Sequence, residues 1–269
     1  MDKTTLPGLV VAFGALLLSV ILEGGNPLAL LNVPAAVLVF GGTFGIAMTA
    51  FPLPVVLRLP KLLMQAITEK HTDAHEIIER FCKLADKARR EGLLALEQEA
   101  PSLDQFGRKG IMLVVDGSDP TLVREVLEAE VEAMQRRHHD GYGIFEAMGG
   151  YAPTVGIIGT VMGLVNVLSQ LEDPSELGHA IAGAFLATLY GVASANLLWL
   201  PIGQKLKNKS HEEAWIRELT MEGIMTVQAG VNPRIVREKL EAQLPPERRT
   251  GAQAEGSRVA ERATAPAGS

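Results

Sequence analysis

Apolar and charged positions are sorted into long blocks along this chain. Four stretches free of Asp, Glu, Lys and Arg lie near residues 6–22, 33–57, 147–171 and 180–204. A helix rising about 1.5 Å per residue needs roughly 20 apolar residues to cross a hydrocarbon core about 30 Å thick, so each stretch can span a membrane, the first at the short limit. Between and after the stretches the pattern changes to helical amphipathicity. Ile77, Ile78, Phe81 and Leu84, then Leu93, Leu94 and Leu96, recur at helical spacing among charges. The loop Asp116-Gly117-Ser118-Asp119-Pro120 ends one helix and starts another. That helix carries Val123, Val126, Leu127, Val131 and Met134 on one stripe and is expected to run into the third span. A shorter amphipathic stretch, His211 to Gln228, follows the fourth span, and Val231-Asn232-Pro233 opens a last helix to about Leu244.

The fold class expected from this pattern is all-α: a polytopic membrane protein with four transmembrane helices and a helical cytoplasmic domain between the second and third. Residues 1–57 carry spans one and two, 58–146 form the cytoplasmic helical domain, 147–204 carry spans three and four, and 205–244 form cytoplasmic C-terminal helices. Residues 245–269 lose periodicity after Pro245-Pro246 and read as a disordered tail. The link Glu23 to Asn32 and the turn built on Asp173-Pro174 contain no Lys or Arg, whereas Arg58 and Lys61 follow span two and Lys205, Lys207 and Lys209 follow span four. The positive-inside rule therefore puts both short links outside and both termini in the cytoplasm.

Composition narrows the function classes. A net charge of −6 with interspersed acids and bases offers no basic face, so nucleic-acid binding is not expected. The single cysteine, Cys82, excludes an intrachain disulfide framework and is expected as a half-buried helix residue. Met1-Asp2-Lys3 has no net positive charge and Leu22-Glu23-Gly24-Gly25 lacks a small-x-small cleavage pattern, so the first apolar run is read as a span and not as a signal peptide.

The informative chemical feature is an absence. No Asp, Glu, Lys or Arg lies inside the four apolar stretches, yet a chain that moves ions by itself normally carries an ionisable group within the membrane. This chain can line a path, but the carrier carboxylate has to come from another chain. The polar atoms of spans three and four are hydroxyls and amides, on Thr154, Thr160, Asn166, Thr188, Tyr190, Ser194 and Asn196, among glycines that allow close helix approach. Each threonine has a plainer reading as a bond to its own i−4 carbonyl. Pro153 and Pro201, each lacking an amide donor, read either as hinges or as ordinary helix-end prolines. Phosphate loops, metal-spaced histidine pairs and nucleophile elbows are missing, so an enzyme is not expected. Arg89, Arg90, Glu91, Glu97 and Glu99 cluster around Gly92, and Glu125, Glu128, Glu130 and Glu132 line the next helix, a pattern that by itself reads as solvated faces.

The run Tyr151-Ala152-Pro153-Thr154-Val155-Gly156-Ile157-Ile158-Gly159-Thr160-Val161-Met162-Gly163-Leu164, then Ala187-Thr188-Leu189-Tyr190-Gly191, Asn196 to Pro201 and Ala229-Gly230-Val231-Asn232-Pro233, resembles the MotA/PomA family of flagellar stator subunits. The resemblance extends to about Leu244. It implies an inner-membrane pentamer around a dimer of MotB/PomB-type chains whose single span supplies the ion-binding aspartate. It also implies that Pro153 and Pro201 couple ion passage to movement, that Arg89, Glu97 and Glu130 belong to the face engaging the rotor protein FliG, and that no cofactor is needed beyond the transported H+ or Na+. Hydroxyls at Thr160 and Thr188 resemble the sodium-type branch, while His179-Ala180-Ile181 and Trp199 resemble proton-type sequences, leaving a slight lean to sodium. Two other readings remain open: an ExbB/TolQ-type energiser, which usually has three spans with its large insert after the first, and a non-conducting membrane scaffold.

Overall fold

The computed structural model describes residues 4–68, 72–169 and 174–245. The expected tail beyond Pro245, the turn at Asp173 and the side chain of His179 lie outside the described residues. Those residues contain helices and no strand. The chain divides into two compact units, one of residues 1–70 with 136–210 and the other of residues 71–135 with 211–269. Residues 58–70 and 136–146 group with the spans, and the residues after 210 join 71–135.

In the spanning unit, α1 (Thr5–Leu22) is followed by Gly24 at φ 78° and a 3-10 turn over Pro27–Leu30. Asn32 caps the second span, its Oδ1 accepting from the Ala35 amide at 3.0 Å. That span runs through α2 (Val33–Ala36), a π turn (Val37–Gly41) and α3 (Gly42–Ala50). It is shorter than the 33–57 stretch, because Phe51 turns extended ahead of Pro52 and ends the helix. The remaining apolar residues form α4 (Leu53–Val56), and α5 (Leu59–Ile67) comes next. Lys209 closes the end of α5, its Nζ donating to the carbonyls of Gln65, Ala66 and Thr68 at 2.8, 3.0 and 2.6 Å.

The charged unit is built on α6 (Ala74–Glu91), which Asp73 caps and Gly92 terminates at φ 87°. Residues 93–98 then form a 3-10 segment in which Leu96 is fully buried and Leu94 is exposed. α7 (Gln105–Val115) ends at Gly117, and α8 (Pro120–Ser169) begins with its Val123, Leu127, Val131 and Met134 stripe buried. As the stripe predicts, α8 continues into the third span without a break. The fourth span is likewise continuous with the helix after it: α9 (Pro174–Ser194), a π turn (Ala195–Trp199) and α10 (Leu200–Gln228) make one run. The separate stretch expected at His211–Gln228 is the end of that run. α11 (Pro233–Glu241) packs on α6. Cys82 is buried rather than half-buried, its thiol 3.5 Å from the Pro233 carbonyl, and burial pushes its pKa up.

Candidate functional site

Spans three and four meet backbone to backbone. A Cβ added to Gly156 would lie 2.8 Å from the Ala187 carbonyl oxygen and 3.2 Å from the Thr188 Cα, and one added to Gly191 would lie 2.5 Å from the Ala152 carbonyl oxygen and 3.2 Å from the Pro153 Cα. No rotamer change relieves a clash with backbone, so these two positions exclude any side chain. One turn along, Ala184 and Ala187 face Gly163 and Gly159 across the same seam. The small residues thus let two helices approach closely in a setting where apolar burial alone gives no driving force.

The close approach brings Thr160 and Thr188 together. Their hydroxyls share a short hydrogen bond. Thr160 Oγ1 lies 3.2 Å from the Gly156 carbonyl and 3.0 Å from the Ala184 carbonyl, and Thr188 Oγ1 lies 3.4 Å from that of Gly156. The i−4 reading therefore holds for Thr160 but does not exhaust its contacts, and Thr188 reaches across to the other helix. Two hydroxyls and two carbonyls form a cluster of four oxygens with no ionisable side chain. Such a set suits a hard cation or a hydrogen-bonded water file, since all its donors are oxygen. Two members are main-chain atoms, which no residue pattern displays directly.

Both prolines are interior to their helical runs, not at helix ends. Pro153 stands inside α8, and Pro201 is the second residue of α10, directly after the π turn. Each removes the amide that would bond the carbonyl four residues before it, and the π turn is the helix's local adjustment ahead of Pro201. Tyr190, which the sequence shows only as one more polar residue, has a fixed role. Its hydroxyl accepts from the Asn32 amide at 2.9 Å and donates to the Leu30 carbonyl, tying the fourth span to the link between spans one and two.

The other predicted site residues lie in the charged unit. Arg89 and Glu97 are exposed on either side of Gly92 and make no ion pair among the described residues. Their neighbours are engaged: Arg90 with Asp86 at 3.0 Å, and Lys87 with Glu99 at 2.7 Å, an ion pair that raises the lysine pKa. Glu130 is half-buried and paired with Lys109 at 2.7 Å. Sequence reasoning missed the ion pairs that hold α11. Arg237 pairs with Glu79, raising the arginine and lowering the carboxylate. Burial pushes Glu222 up, but its contacts with Lys239 and Arg124 outweigh this and leave its pKa lowered.

The description of the MotA/TolQ/ExbB proton channel family matches residues 98–219, which include spans three and four. Motility protein A of Bacillus subtilis (strain 168) is 40% identical over 247 residues, covering 91% of this chain and 92% of the relative. Chemotaxis protein PomA of Vibrio alginolyticus is 36% identical over 236 residues, covering 88% and 92%. Among solved structures, the flagellar MotAB stator complex from Bacillus subtilis matches with a TM-score of 0.86 at 39% identity, covering 91% of this chain and 97% of that one. C. jejuni MotAB matches with a TM-score of 0.86 at 30% identity, covering 91% and 96%. These matches extend over 88–91% of the chain, well beyond residues 98–219. With identity of this order over nearly the full length, the chain belongs to the MotA/PomA family of flagellar stator A subunits and is a multi-pass inner-membrane protein.

Proposed function

We propose that this chain walls the ion path of a flagellar stator, with a MotB/PomB-type chain supplying the carboxylate, and that it works as a pentamer with both termini in the cytoplasm. The observation that carries the reading is the oxygen cluster at Thr160 and Thr188, set in a glycine seam between spans that hold no Asp, Glu, Lys or Arg. An ion entering from outside neutralises the partner's aspartate and leaves past these oxygens. The transported H+ or Na+ is cargo, and no resident cofactor takes part. Neutralising a buried carboxylate removes its desolvation cost, which biases a two-state packing of spans three and four about Pro153 and Pro201.

The charged unit then delivers the movement to the rotor protein FliG through Arg89 and Glu97, whose exposure leaves them available to a partner of opposite charge. Glu130 joins that face only by exchanging Lys109 for a rotor cation. The test of the pathway is Thr188→Val beside Thr188→Ser, in motile cells given sodium or none. Removing the hydroxyl takes one oxygen from the cluster and breaks the hydrogen bond to Thr160, a loss of about 1–1.5 kcal/mol, so valine is expected to slow swimming roughly tenfold while serine preserves most of it. Equal swimming by the two variants would remove Thr188 from the pathway.

A further inference from the structure

Thr188 and Tyr190 stand two residues apart on α9, about 200° around a helix of 3.6 residues per turn, so they face opposite ways. Thr188 turns to the Thr160 hydroxyl and the Gly156 carbonyl of span three. Tyr190 turns to the link between spans one and two, where its hydroxyl accepts from the Asn32 amide at 2.9 Å and donates to the Leu30 carbonyl. That amide has no other partner among the described residues. The same link touches α9 a second time. A Cβ added to Gly183, two turns before Tyr190 on the same face, would lie 3.1 Å from Asn32 Nδ2. Asn32 Oδ1 accepts from the Ala35 amide at 3.0 Å, so the grip falls on a residue fixed at the start of span two. The Tyr190 ring lies 6.4 Å from that of Phe40, in the π turn of the same span.

We infer that Tyr190 is a positioning residue for the ion path: it fixes the turn of span four about its own axis and so holds Thr188 against Thr160. The glycine seam sets how closely spans three and four approach. Rotation is a separate coordinate, and glycine has no side chain to key it. At a side-chain radius of roughly 5–6 Å, a turn of about 20° carries an oxygen about 2 Å, enough to break a hydrogen bond. A directed bond on the opposite face resists such a turn. Beside an apolar span the main-chain groups of the link find little water to bond instead, which makes the tyrosine tie hard to exchange. The tie also divides span four. Gly183 to Tyr190 is bound to span two, whereas Pro201 stands beyond it, so a change of packing about the prolines swings the cytoplasmic half and leaves the oxygen cluster in register. The inference deepens the proposed ion path and rests on it for any effect on flux, but not for the position of Thr188.

The experiment is oxidative pairing of Thr160→Cys with Thr188→Cys in membranes carrying this chain and a MotB-type partner, with copper phenanthroline as oxidant and the linked peptide read by mass spectrometry. The two hydroxyls are hydrogen-bonded to each other, so thiols placed there meet when span four holds its turn. Adding Tyr190→Phe, which keeps the ring and loses the hydroxyl, is expected to slow pairing about fivefold while the partner stays bound. Phe40→Leu, which loosens the ring contact and keeps the tie, is expected to leave pairing unchanged. Ion flux with the native threonines gives a second reading: Tyr190→Phe should lower it about fivefold, yet add nothing to Thr188→Val, because it acts through that hydroxyl. Pairing unaffected by Tyr190→Phe, equal slowing by Phe40→Leu, loss of the partner, or a further fivefold loss of flux on top of Thr188→Val would each overturn the assignment. Slowed pairing with unchanged flux would instead remove Thr188 from the path, a failure of the proposed function that leaves the positioning of span four standing.

Discussion

The two units of this chain use glycine and large side chains in opposite ways. In the charged unit Gly223 makes room for a ring: a Cβ there would sit 2.6 Å from Phe81, which is 1% exposed at the centre of a conventional core with Ile78, Leu96, Phe106 and Leu127. In the spanning unit Gly156 and Gly191 make room for backbone, and large apolar residues such as Ile157, Val161 and Val165 face outward at more than half exposure. Water drives the first arrangement by excluding apolar surface. In lipid that drive is missing, so close packing and polar contacts hold the second.

The contrast is broken most severely by size changes at these points. Gly191→Val puts a branched side chain against main chain, and we expect it to abolish swimming with at least about 3 kcal/mol lost from the packing of spans three and four, read as a fall in the thermal stability of the purified complex. Phe81→Ala empties a core instead, and is expected to cost about 3–5 kcal/mol in the charged unit, seen as earlier loss of its amide-exchange protection while the spans stay protected. If Gly191→Val were tolerated and Phe81→Ala lethal to the spans, the separation would be wrong.

A smaller effect comes from pH. The pKa of Glu222 is lowered in the fold, so its stabilising contribution is complete above its ordinary value of about 4.3 and disappears as pH falls through the folded value. Acid titration of α11 release, monitored by hydrogen exchange over Val236 and Leu240, should show this loss below that pH, and Glu222→Gln should flatten it. The smallest change expected is in stability on reversing Arg89 and Glu97. Both are exposed and free of ion pairs among the described residues, so Arg89→Glu with Glu97→Lys should move the unfolding free energy by no more than about 0.5 kcal/mol. Swimming should nonetheless fall, and a double variant with normal torque would remove both from the rotor face.

Much of the spanning unit is legible in sequence because hydropathy is read over long windows. The four spans and the continuation of α8 into the third come directly from charge-free length and from one apolar stripe. The end of span two at Ala50 is hidden because Phe51 to Leu57 stays apolar, and only Pro52 marks the break. Leu94 misleads because it stands in one apolar run with Leu93 and Leu96, whereas the short 3-10 segment turns only Leu96 fully inward. Thr160 and Thr188 are visible as residue types, but the carbonyls of Gly156 and Ala184 belong to the main chain and enter only once the seam is built. The ion pairs of Glu222 and Arg237 join positions far apart in the chain, which charge runs do not register.

The central claim is that this polypeptide forms the wall of the conduit and contributes no carrier. The direct measurement is ion flux into vesicles under an imposed gradient, with the chain alone and then with a MotB-type partner. Silence is expected from the chain alone, and selective flux once the partner is present; sustained selective flux from the chain alone would contradict the claim.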